Sequence, residues 1–192
     1  MLWRSELLSK KIFFRSSSME STENTVFVAG VKAGKQVDRY TNQKLANPHM
    51  PFKDIKYDGI ISFKNLEFFS IPHDYTPENI HVIEGIEDEE KEFTEEQVNK
   101  LITALQFAEG KRNILVLCNG GNNRSRLLAC LIRLERDQYI PSGITDPVQD
   151  YYKNIVDKAA ELILEQENKT KRENIKSALT TVKITRKRRR GL

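Results

Sequence analysis

Residues 114–125 read Ile-Leu-Val-Leu-Cys-Asn-Gly-Gly-Asn-Asn-Arg-Ser, and they are the most informative stretch of the chain. The first four residues form an unbroken apolar run, which predicts a short buried strand. The glycines and asparagines after Cys118 predict a tight loop. An apolar pattern of helical period follows over residues 127–132. The stretch therefore predicts a strand that ends at Cys118, a loop, and a helix that begins near Arg124.

A loop of this kind is suited to bind an anion. Its backbone N–H groups turn inward, and the dipole of the following helix adds positive potential. Gly120 and Gly121 permit the backbone twist and the close approach that larger residues resist. Arg124 offers a planar fork that can bind two oxygens of a phosphoryl group. The residues expected to bind phosphate are Asn119, Gly120, Gly121, Asn122, Asn123 and Arg124.

Cys118 is the expected nucleophile of this loop. A cysteine held beneath an anion site is expected to be a thiolate, and a thiolate that attacks a phosphoryl group forms a phosphocysteine that a second step hydrolyses. Ser125 can donate a hydrogen bond to the thiolate or assist its departure. A Cys after an apolar strand and an Arg at a helix start are each common. Combined with two glycines and the flanking elements, they predict phosphate-binding catalysis.

The composition limits the classes of protein that the chain can belong to. Its 192 residues suffice for one domain with a core and tails. The formal net charge is +4, and the excess lies in the last ten residues, so the body carries no strong nucleic-acid footprint. Two cysteines exclude a disulfide framework and favour a reducing compartment. The three histidines form no cluster with cysteine, so no metal and no cofactor are expected. No apolar run approaches the length of a transmembrane helix.

Strands and helices alternate along the chain. Apolar runs predict strands over residues 25–30, 57–63, 80–83 and 114–118. Between the last two, Thr94 and Gln97 form a capping box that opens a helix, and Gly110 ends it. The alternation predicts an α/β domain with a central mixed or parallel sheet flanked by helices. In such a domain the ligand site lies at the C-terminal edge of a strand.

The loop from Cys118 to Ser125 resembles the signature loop of the cysteine-dependent protein tyrosine phosphatases, and is most similar to that of the dual-specificity branch. Gly121 falls on the fixed glycine of that motif and Ser125 on its hydroxyl residue. The resemblance covers roughly residues 24–165. It implies a single phosphatase-like domain that acts on phosphotyrosine, phosphoserine and phosphothreonine proteins.

The resemblance also implies a general acid, an Asp on a loop about thirty residues before the Cys. Asp88 stands 30 residues before Cys118, in the acidic loop after the strand at 80–83. It would protonate the leaving oxygen and then deprotonate the attacking water. Glu84 and Glu87 of the same loop are the alternatives, and a purely solvated acidic loop is the competing interpretation.

Two alternatives to a protein phosphatase stay open, and a departure from the family pattern suggests the first. The family usually has His immediately before the nucleophile, and this chain has Leu117. The loss of that stabilising partner allows a catalytically weak pseudophosphatase that binds phosphorylated partners. Related enzymes with the same loop act on RNA 5′-triphosphate ends or phosphoinositides, so an RNA 5′-triphosphatase or a phosphoinositide phosphatase is the other alternative.

Three segments are expected. Residues 1–23 are a flexible N-terminal extension, with an organelle presequence as the alternative. Residues 24–167 are the dual-specificity phosphatase-like domain, and residues 168–192 are a basic C-terminal tail. The tail ends in a cluster that is a solvated terminus, a nuclear-import signal, or a contact for RNA or acidic lipid; it comprises Arg186, Lys187, Arg188, Arg189 and Arg190. The expected location is the cytoplasm, with the nucleus as the alternative.

Overall fold

The structure is a computed structural model, and it describes residues 25–30, 36–37, 44–45, 56–63, 76–87, 92–121, 123–138, 140 and 150–182. Within these ranges the chain has an α/β architecture with a parallel four-stranded sheet and four helices. The strands are β1 (Val26–Gly30), β2 (Gln36–Val37), β3 (Lys44–Leu45), β4 (Gly59–Ser62), β5 (Ile80–Val82) and β6 (Ile114–Cys118). The helices are α1 (Glu95–Ala108), α2 (Arg124–Glu135), α3 (Asp150–Glu165) and α4 (Lys171–Thr181).

The main sheet has the strand order β1-β6-β4-β5, and all three pairings are parallel. Strands β2 and β3 form a separate antiparallel pair. Strand β6 is central, with Cys118 in register with Gly30 of β1 and Leu117 in register with Ser62 of β4. Parallel strands carry their carboxyl ends at one edge of a sheet, so β1, β4 and β6 all end at this edge. The predicted α/β class is confirmed, and the described sheet is parallel.

The core lies between one face of the sheet and the helices. Val28, Ile61, Val116 and Cys118 belong to a single buried cluster with apolar residues of all four helices. Leu115 and Leu117 have the opposite orientation in β6 and are buried as well. Burial on both faces explains why residues 114–117 are uniformly apolar rather than alternating.

The ends of α1 follow the local signals in the sequence. The Thr94 hydroxyl accepts a hydrogen bond from the Gln97 N–H, and the Gln97 side chain accepts one from the Thr94 N–H. This reciprocal pair is the predicted capping box. After the helix, Gly110 has a φ of +73°, a left-handed conformation that glycine adopts without strain.

The packed part of the chain extends beyond the predicted boundary at residue 167. Residues 171–181, expected to belong to a basic tail, form α4, which packs against α1, α2 and α3. Ile175, Ala178 and Leu179 are buried in the common core. The packing of α4 shields these apolar side chains from water. The extension at 1–23 and the cluster at 186–190 lie outside the described residues.

Candidate active site

Cys118 is the last residue of β6, at the carboxyl edge of the sheet, and its side chain is buried. Its sulfur accepts a hydrogen bond from the Gly121 N–H at 3.1 Å. The Ser125 hydroxyl also lies 3.1 Å from the sulfur, within donating distance. Both groups can stabilise negative charge on the sulfur. The predicted strand, loop and helix are therefore present, with Cys118 and Ser125 in direct contact.

The loop between β6 and α2 depends on one glycine. Gly121 has a φ of +66°, where a residue with a Cβ is strained. This conformation is part of the turn that brings the Gly121 N–H back to Cys118, three residues earlier. Asn119 and Gly120 are partly exposed at the same loop, and Asn122 lies outside the described residues.

Helix α2 begins at Arg124, and the buried side chain of Asn123 precedes it. The Arg124 side chain is 4% exposed, which is rare for a guanidinium. Its Nη1 atom donates a hydrogen bond to the Ile86 carbonyl at 2.6 Å. Its Cζ atom lies 5.8 Å from the ring centroid of Phe63, the residue that follows β4. Arg124 therefore lies among the β4 end, the loop after β5 and the Cys118 loop.

Three side chains hold the loop that follows β5. Their donors contact three consecutive backbone carbonyls, in the pairs Lys100 to Glu84 at 3.1 Å, Gln97 to Gly85 at 2.8 Å and Arg124 to Ile86 at 2.6 Å. Gly85 turns the chain with a φ of +77°. The first two donors come from α1 and the third from α2, so the loop is tied to both helices.

The expected general acid, Asp88, lies outside the described residues. The described part of its loop ends at Glu87, two residues after the glycine turn. Glu84 and Glu87, the alternative acids, are exposed. The Ile86 carbonyl, which accepts the hydrogen bond from Arg124, lies two residues before Asp88 in the sequence.

Arg126 was not recognised from the sequence as part of the site. Its side chain is 4% exposed, and its Nε atom donates a hydrogen bond to the Gly121 carbonyl at 3.1 Å. A signal was available, because Arg126 is a charged residue directly before the apolar run at residues 127–132. A buried guanidinium needs hydrogen-bond acceptors, and the backbone carbonyls of the loop before α2 are close to Arg126 in the sequence.

Two further side chains near the core, Cys130 and His81, have shifted pKa values. Burial raises the pKa of the Cys130 thiol to about 12, against a smaller opposing effect of the Arg133 and Arg126 charges. Cys118 and Cys130 are both free. His81 stacks on Phe107 with ring centroids 5.3 Å apart, and burial lowers its pKa.

The part of the chain that the structure describes holds no group of three His, Cys, Asp or Glu side chains arranged for a metal ion.

Comparison of the chain with protein-family models, with curated proteins and with solved structures finds no match. Among the described residues, no helix combines the length and the apolar character needed to cross a lipid bilayer. Inferences about function consequently rest on the geometry around Cys118.

Proposed function

We propose that the chain is a cysteine-dependent phosphatase that hydrolyses the phosphoester bonds of phosphotyrosine, phosphoserine and phosphothreonine proteins through a phosphocysteine intermediate. The observation that carries the proposal is the double contact of the Cys118 sulfur with the Gly121 N–H and the Ser125 hydroxyl. A purely structural buried cysteine needs no such pair of polar contacts. These contacts suit a sulfur that carries negative charge.

In the first step the Cys118 thiolate attacks phosphorus and the S–P bond forms. The bond between phosphorus and the ester oxygen breaks, and that oxygen takes a proton from Asp88. The protein side chain leaves as an alcohol or phenol. Arg124 and the N–H groups of the loop would neutralise charge on the three equatorial oxygens, which is the main source of catalysis in phosphoryl transfer.

In the second step water attacks phosphorus, and the Asp88 carboxylate takes its proton. The S–P bond breaks, and inorganic phosphate leaves. The Ser125 hydroxyl, 3.1 Å from the sulfur, would donate to the departing thiolate. The nucleophile and the acid return to their starting states, so the net reaction consumes one water for each ester.

The position of the site supports the proposal. Cys118 lies at the carboxyl edge of a parallel sheet, and the first turn of α2 directs its N–H groups and dipole toward the same loop. Arg124 is buried beside that loop, and its planar guanidinium suits the binding of phosphoryl oxygens. The positive potential of these groups would stabilise a trianionic transition state.

A substrate panel measured with wild type beside Cys118→Ser tests the proposal. We expect wild type to hydrolyse p-nitrophenyl phosphate and phosphopeptides, and Cys118→Ser to be inactive. Cys130→Ser is the matched control, because it changes a buried cysteine on α2 and should retain activity. Binding of phosphopeptides without turnover by wild type would overturn the proposal in favour of a pseudophosphatase. Turnover of RNA 5′-triphosphate ends or phosphoinositides alone would keep the chemistry and replace the substrate.

A further inference from the structure

A second arginine contacts the Cys118 loop, and the proposed chemistry does not use this contact. Arg126 lies in the first turn of α2 and is as buried as Arg124. Its Nε–H points back to the loop and meets the Gly121 carbonyl at 3.1 Å. The contact joins the first turn of α2 to a loop residue five positions earlier.

Gly121 therefore has both of its backbone polar groups engaged. Its N–H donates to the Cys118 sulfur, and its carbonyl accepts from Arg126. With a φ of +66° and no side chain, glycine has the widest choice of backbone conformations. A hydrogen bond that fixes the carbonyl also fixes the orientation of the residue, and with it the direction of the N–H.

The residue before the nucleophile does not supply such support. Leu117 is fully buried in β6 and has no polar side-chain atom. Arg126 offers a planar guanidinium donor to the Gly121 carbonyl of the same loop. Its charge reaches the neighbouring core as well, where it acts on the Cys130 thiol.

We infer that Arg126 is a positioning residue, which holds Gly121 in the conformation that directs its N–H at the Cys118 sulfur. Arg126 acts through the Gly121 backbone and does not touch the substrate. The inference concerns the site of the proposed function and rests on it for its catalytic meaning. The contact itself predicts a property of the thiol that needs no substrate.

The test is the alkylation of Cys118 by iodoacetamide, followed by peptide mass mapping at pH 6.5 and at pH 9.5. Arg126→Met removes the hydrogen bond from the guanidinium to the Gly121 carbonyl. The ratio of the alkylation rate at pH 6.5 to the rate at pH 9.5 should then fall about tenfold. Arg133→Met is the matched control, because it removes a positive charge from the same helix two turns away and should leave the ratio unchanged. Thermal unfolding of each variant verifies that it is folded.

Arg126→Lys separates geometry from charge. Lysine keeps the charge and loses the planar fork, so the ratio should fall in the same direction as in Arg126→Met. This variant also carries the test if Arg126→Met does not fold. A wild-type ratio in a folded Arg126→Met, or full restoration of the ratio in Arg126→Lys, would overturn the inference.

The alkylation assay separates this inference from the proposed function. A shifted ratio in a protein that hydrolyses no phosphoester would leave the positioning role standing and remove the phosphatase activity. An active wild type whose alkylation and turnover are both unaffected by Arg126→Met would do the reverse.

Discussion

The guanidinium of Arg124 donates a 2.6 Å hydrogen bond to the backbone carbonyl of Ile86, 38 residues earlier in the chain. The side chain of Arg124 is thus fixed to the loop that follows β5, the acidic loop of the sequence analysis. Its backbone is the first residue of α2, the helix that follows the Cys118 loop. The contact ties Arg124, the proposed phosphate clamp, to the segment that leads to Asp88. In the proposed chemistry, phosphate binding and the placement of the acid share this side chain.

The first prediction concerns Gln97, which joins the acidic loop to α1. Gln97→Ala removes the hydrogen bond to the Gly85 carbonyl and should lower kcat five- to tenfold, about the effect of one lost hydrogen bond. KM should stay near the wild-type value, because the phosphate contacts come from the Cys118 loop. Steady-state kinetics with a phosphopeptide provide the measurement.

Thr94→Ala is the control for Gln97→Ala. Thr94 is the other half of the capping box, so both variants weaken the start of α1 by about 1 kcal/mol. Gln97 also donates to the Gly85 carbonyl of the loop after β5, and this contact is what distinguishes it from Thr94 in the comparison. Equal kcat values in the two variants would show that loop attachment does not matter to turnover.

The second prediction identifies the general acid by its leaving-group dependence. Phenolate from phenyl phosphate needs a proton to leave, and p-nitrophenolate needs it far less. Asp88→Ala should therefore lower the rate on phenyl phosphate about 100-fold or more, and the rate on p-nitrophenyl phosphate much less. Equal losses on both substrates, or the same pattern in Glu84→Ala or Glu87→Ala in place of Asp88→Ala, would contradict the assignment.

The third prediction concerns the pH dependence of folding stability. Burial lowers the pKa of His81 below its ordinary value near 6.5. As the pH falls from 7.5 toward 5.5, the unfolded chain binds the His81 proton before the folded chain does, so this residue lowers the free energy of unfolding. His81→Phe should lose less stability over that interval, while the other titrating groups contribute alike to both proteins.

Urea denaturation of wild type and His81→Phe at pH 7.5 and pH 5.5 measures this difference. Phenylalanine keeps an aromatic ring against Phe107, whose stacking with His81 is 25° from parallel. An equal or larger loss of stability in His81→Phe would rule out the titration of His81 as a cause.

The fourth prediction tests whether α4 belongs to the folded body. Ile175 is fully buried, so Ile175→Ala should lower the free energy of unfolding by about 2–5 kcal/mol. Lys176→Ala, at the next and exposed position of the same helix, should change it by less than about 0.5 kcal/mol. Similar small effects of both substitutions would show that the helix contributes little to stability.

Local signals in the sequence were sufficient for the elements that position Cys118. The apolar run before it gave β6, the glycine loop and the apolar helix pattern gave the turn into α2, and the capping box gave the start of α1. These features depend on neighbours in the chain, so a single sequence displays them directly. Asp88 and the basic cluster at 186–190 lie outside the described residues and stay predictions.

Contacts between distant segments could not be predicted in the same way. The acceptor for Arg124 is a backbone carbonyl, which every residue has, so the sequence does not single out Ile86. Helix α4 was not predicted as part of the domain because its few apolar residues are surrounded in the sequence by polar and basic residues. Its capping box, Thr170 with Glu173, was a usable signal that the charge of the segment obscured.

A covalent phosphocysteine on Cys118 is the most direct test of the proposed chemistry. Rapid acid quenching of Ser125→Ala during turnover, followed by peptide mass mapping, should reveal one added phosphoryl group on Cys118, because loss of the Ser125 contact slows the second step. Cys118→Ser treated in the same way should carry none. Steady turnover without any phosphorylated Cys118 would contradict the mechanism.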